Sequence, residues 1–110
     1  MDVQIQKIKL GNYRFDGPIG SVEMIEDKPG LFAVYCLKEN GYYPIDVDES
    51  ETIKSSILKH PRIEEWKEQA KAGVITFAVY YTPTLDKEGR KKIEKSIRGG
   101  EVLIPCGGND

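Results

Sequence analysis

The chain has 110 residues, 39% of them hydrophobic and 31% charged, which suits one domain with a single modest core. Its 16 basic against 18 acidic residues leave a formal charge of −2, which lends no support to a protein living mainly on phosphate contacts, although nucleic acid is not excluded. The opening MDVQIQKIKL holds no apolar run of export or membrane length, and Cys36 and Cys106 match no metal or redox spacing, so a reduced, cytoplasmic setting without membrane contact is expected.

In chain order, residues 3–10 alternate as a strand with Val3 and Ile5 on one face. GNYRFDGPIG then reads as a loop, because its Gly and Pro are turn formers. LFAVYCL, residues 31–37, is a continuous apolar run suited to a strand buried on both faces, with Cys36 inside. Asn40-Gly41 is a hairpin signal, and a partner strand over 42–47 follows; Pro44 places that strand at an edge or on a bulge. Asp48 and Glu51 have capping-box spacing ahead of a helix over 51–59 with Ile53 and Ile57 inward. Pro61 stops that helix and opens the next, 62–72, whose apolar stripe is Ile63, Trp66 and Ala70, with Gly73 at the C-cap position. A third strand covers 74–81 and a last helix 85–98, with Ile93 and Ile97 inward; the tail EVLIPCGGND is expected to pack back. The expected fold is α/β (α+β): one domain over 1–110, with a small, mostly antiparallel three-stranded sheet flanked by helices and an extra N-terminal strand.

This order of hairpin, helix, helix, strand and helix resembles the GIY-YIG endonuclease family over roughly residues 29–109. Gly30 to Phe32 stand where the family has Gly-Ile-Tyr, and Asp46 to Ser50 stand where it has Tyr-Ile-Gly followed by a Ser or Thr anchor. Ser56 occupies the place of the family arginine, Ile57 the apolar residue after it and His60 the frequent histidine. Glu94 matches the glutamate that holds the metal, and PCGGND is similar to the Pro and Asn that often follow it. The resemblance thus implies a site at Phe32, Asp46, Ser56 and His60, with Glu94 as metal ligand.

The departures decide what that site is expected to do. Phe32 lacks the hydroxyl that handles the attacking water, Asp46 brings negative charge towards the phosphate position, and Ser56 brings no charge. Losing one preorganised stabiliser costs roughly a hundred- to a thousandfold in rate. The resemblance therefore implies an inactive or impaired nuclease-like domain serving as an interaction module, with a protein as partner. No cofactor is expected; Mg²⁺ enters only if cleavage survives. Two alternatives stay open. One is a divergent metal-dependent phosphodiester hydrolase using Glu94 with displaced Tyr, His or Lys groups. The other is a non-cleaving nucleic-acid binder using Lys91, Lys92, Lys95 and Arg98.

Structural roles compete for each of these residues. Glu94 can pair with Arg90 one helical turn away, and His60 can favour a helix C-terminus. Lys59 and Arg62 are expected to be solvated unless they replace the missing arginine. Tyr35, Tyr42, Tyr43, Tyr80 and Tyr81 suit core and hairpin packing. Asp46, Asp48, Glu49 and Glu51 share the first positions of an EF-hand loop. Glu51 stands where glycine is required and Ile57 where the glutamate ligand belongs, so calcium is rejected.

Overall fold

The computed structural model describes residues 6–107. Five strands, β1 (Lys7–Leu10), β2 (Tyr13–Ile19), β3 (Gly30–Lys38), β4 (Gly41–Ser50) and β5 (Val74–Tyr81), form one curled antiparallel sheet in the order β1-β2-β5-β3-β4. Three helices complete the α+β fold: α1 (Ile53–Leu58), α2 (Ile63–Ala70) and α3 (Lys87–Arg98). No helix among the described residues is long and apolar enough to cross a membrane.

β3 lies inside the sheet, between β5 and β4, and period-two alternation sends its side chains to two cores. Phe32, Val34 and Cys36 join Ile53 and Ile57 of α1 and Trp66 and Ala70 of α2. Leu31, Ala33 and Tyr35 join Ile97 of α3 on the other side, together with Ile8, Leu10 and Phe15 from the first hairpin. Both faces are covered, which is why the apolar run from Leu31 does not alternate.

The sheet corrects the expectation of three strands plus one. Residues 13–19 are a strand, not a loop. Gly11, at φ +62, and Asn12 form a two-residue turn that sets Leu10 opposite Tyr13. Phe15 is wholly buried, and Gly17 lies so close to Ala78 that a Cβ would stand 2.8 Å from its methyl. The register shifts between Asp16 and Ile19, around Pro18, so the turn-forming residues mark an irregularity within the strand. Val3 and Ile5 lie outside the described residues.

The β3–β4 pairing follows expectation, and Pro44 sits on an edge strand beside a bulge. The capping box does not form. Asp48 is still in the strand and points at His60, while Glu51 is exposed. The first turn of α1 is served from a distance: Asp27 accepts the Ser55 N–H at 3.0 Å and its hydroxyl at 2.6 Å, and Lys28 O accepts the Ile53 N–H. α2 ends earlier than expected, with Lys71 rather than Gly73 at positive φ. Gly73 is needed for closeness instead, since a Cβ there would lie 2.4 Å from Cys36 Sγ. The tail packs back through Cys106, which is buried and donates its N–H to Ile45 O.

The tightest backbone approach is at Gly30, where a Cβ would stand 2.3 Å from Tyr80 O. Gly30→Ala should therefore cost about 1–3 kcal/mol, because backbone has to move. Gly20→Ala, with nothing within 4 Å of its Cβ, should stay within about 0.5 kcal/mol. Urea midpoints of the two variants check this.

Candidate functional site

The site is built on the outer half of β4. Its bulge sets Tyr35 opposite Pro44 and Val34 opposite Asp46, leaving Ile45 as the extra residue. Beyond it, Asp46, Asp48 and Ser50 face α1 and α2, while Val47 and Glu49 face α3.

Asp46 has no exposed surface and sits among apolar side chains. A lone buried carboxylate would be very costly, so its oxygens must be answered. Arg62 Nε donates to Oδ2 at 2.8 Å, Arg98 Nη2 to Oδ1 at 2.8 Å and the Trp66 indole to Oδ2 at 2.6 Å. The backbone N–H of Val47 adds a fourth donor to Oδ1. Helix α2 with its preceding turn, strand β4 and helix α3 thus converge on one carboxylate.

A second layer lies outward. Asp48 accepts from His60 Nε2 at 2.9 Å, and the Arg62 N–H donates to His60 Nδ1 at 3.1 Å. Those partners select the neutral tautomer with its proton on Nε2. The imidazole is held edge-on to Phe32, with ring centroids 5.7 Å apart, and tilted over Trp66 at 4.7 Å.

Glu94 comes from the opposite layer and reaches the free edge of β4. Its Oε1 accepts the Glu49 N–H at 3.2 Å and its Oε2 the Arg98 Nε at 3.3 Å. Arg90 does not pair with it; that guanidinium turns to Glu49 at 2.9 Å and to Leu85 O. Burial pushes the Glu94 carboxyl up, and the neighbouring Asp48 carboxylate pushes it further, against the opposing charges of Lys91 and Arg98. Burial also acts to raise Asp48. Hydrogen bonds with His60, Glu94 and the Glu49 N–H, with the Arg62 charge, outweigh it and hold Asp48 at about 2.

The residues expected from sequence gather around β4 without forming one open cleft. Phe32 is wholly buried beneath His60 and Trp66, and Asp46 is sealed. The Ser56 hydroxyl is hydrogen-bonded to that of Ser50. Ser56 and His60 line a shallow depression with Asp48, Thr52, Ser55 and Lys59. Among the described residues no group of three or more His, Cys, Asp or Glu side chains could hold a metal ion, so Glu94 has no companions for a protein-built cage.

Arg62 and Arg98 are the members that sequence reasoning misplaced, as a solvated cation and part of a basic surface; Trp66 is in the core as expected, and only its indole bond to Asp46 was missed. The local pattern carried no signal for this. Asp46 and Asp48 alternate with Ile45 and Val47, which in sequence suits a half-buried strand with solvated aspartates, so only the fold shows that helices cover both faces and that a buried carboxylate needs cations. No protein-family model, curated protein or solved structure matches this chain.

Asp46→Ala should cost about 3 kcal/mol or more, because it strands two guanidiniums built around the carboxylate. Trp66→Phe keeps a ring and loses one donor to a charged group, so about 1.5–3 kcal/mol is expected from urea melts.

Titration adds a second check. The raised Glu94 contributes stability fully below its unfolded value near 4.3, and that contribution is lost as pH rises through the higher folded value. The depressed Asp48 contributes above about 3.9 and loses its contribution as pH falls towards about 2. In urea melts between pH 2 and 8, Glu94→Gln should lack the decline above the ordinary glutamate range and keep the acid loss. A difference between variant and parent that stays constant with pH would contradict this assignment.

Proposed function

We propose that this chain is a GIY-YIG-like scaffold that does not cleave nucleic acid and serves as an interaction module for a protein partner. One observation carries the reading: the Asp46 carboxylate, at a position matched to the family site, is bonded to both nearby guanidiniums. Phosphodiester hydrolysis needs positive charge aimed at the phosphoryl oxygens and a group that activates water. Arg62 and Arg98 are spent on Asp46, and Phe32 offers no hydroxyl. Both cysteines are free and buried, which supports the cytoplasmic setting that the reading assumes.

The runner-up, a divergent metal-dependent endonuclease, draws support from Asp48 and Glu94, whose carboxylates both accept the Glu49 N–H. With Mg²⁺ these two carboxylates could share an ion completed by substrate phosphates. The test incubates pure protein with branched, single-stranded and duplex DNA, with Mg²⁺ or Mn²⁺ and with EDTA. No cleavage above buffer is expected. Metal-dependent nicking that vanishes in Glu94→Ala would establish the runner-up instead.

A further inference from the structure

The outer face of α3 gathers three exposed lysines in a chain whose net charge is −2. Lys91, Lys92 and Lys95 are exposed and line a groove of about 590 Å³ with Arg98, Gly99 and Gly107. Glu94 and Arg98, in its wall, are committed to each other and to β4. Lys91 lies 3.8 Å from Glu94, whereas Lys92 and Lys95 make no ion pair among the described residues. Glu88 is the other acidic side chain lining the groove.

Gly107 closes part of the groove's wall. At φ +73, it lies directly on the Arg62 and Arg98 guanidiniums, where a Cβ would stand within 2.8 Å of both. The glycine there makes room for the protein's own two guanidiniums.

From this charge pattern and shape, the geometry points to a docking groove for an acidic, extended protein segment along α3. From Glu88 to Gly99 the helix advances about 16 Å, which an extended segment spans in about five residues. Lys91 and Lys95 are about 6 Å apart along the helix, and alternate side chains of an extended chain are about 6.6 Å apart. A carboxylate at every second residue therefore meets successive lysines. Glu88 and Glu94 leave the groove of mixed sign, which fixes the register of a peptide and repels a continuous phosphate chain. No aromatic ring lines it, so a base would have nothing to stack on.

The inference rests on the interaction-module reading and names the partner's chemistry; its readout is separate from cleavage. A chain that cut DNA and still bound the peptide would lose that reading and keep this one. The probe is a fluorescein-labelled Glu-Ser-Glu-Ser-Glu peptide, titrated with the full chain at 50 mM and 300 mM NaCl and followed by anisotropy. A labelled single-stranded oligonucleotide runs in parallel. Binding should weaken at the higher salt and fall at least tenfold in Lys92→Glu/Lys95→Glu, whose altered residues lie outside both cores. It should be unchanged in Lys38→Glu/Lys71→Glu, which alters a different surface groove. Amide shifts in the NMR spectrum should centre on residues 88–99 and 107. Absence of binding, equal affinity in the α3 variant, shifts centred elsewhere, or tighter binding of the oligonucleotide would each overturn the inference.

Discussion

Burying the Asp46 carboxylate is the constraint from which the rest of this structure follows. A charge held inside an apolar layer is tolerated only where donors surround it, and no single element supplies enough of them. Arg62 comes from the turn before α2, Trp66 from α2 and Arg98 from the end of α3. The two helices lie on opposite sides of the sheet, yet both are tied to one side chain of its edge strand. Such a network is weak evidence of net stability, because well-packed apolar residues often do as well. Its stronger effect is on geometry: α2 and α3 must sit where their donors reach the same two oxygens.

The same arrangement closes the outer edge of β4. Glu94 takes the outward N–H of Glu49, Arg98 donates to the outward carbonyl of Val47, and Cys106 donates to that of Ile45. Pro44 has no N–H to offer. An edge that would otherwise recruit a foreign strand is thereby capped by side chains and the tail. Capping and charge neutralisation share residues, so α3 holds its place for two reasons at once.

Much of this was legible in the residues. Continuous burial of LFAVYCL, the β3–β4 pairing, the edge position of Pro44 and the inward faces of all three helices were readable from local pattern. Where local pattern failed, tertiary contact had prevailed. Gly11, Gly17 and Pro18 read as loop because turn formers punctuate that stretch, yet the packing of Phe15 and the closeness of Gly17 to Ala78 make it a strand. Asp48 and Glu51 have cap spacing, but Asp48 lies on the strand face opposite His60. The candidate positions on β4 and α1 came from a family resemblance and local spacing. Their partners did not, because Arg62, Trp66 and Arg98 lie 16, 20 and 52 residues from Asp46 and meet it only after folding.

The extra residue at Ile45 has a consequence for how the chain tolerates changes of length. A bulge is a place where a ladder already accommodates one unmatched residue. It divides β4 into a hairpin half, whose pairing is fixed by the Glu39–Asn40 turn, and an ionic half, whose pairing is fixed by Asp46 and its donors. Additions at the hairpin tip can be taken up before they reach Asp46. A single residue inserted between Asp46 and Ser50 has no such buffer. It would turn one stretch of strand over, carrying carboxylates into the apolar layer beneath α3 and Val47 towards the arginines. Drift in this protein's length should therefore accumulate on the turn side of Ile45, leaving the six residues from Ile45 to Ser50 uninterrupted.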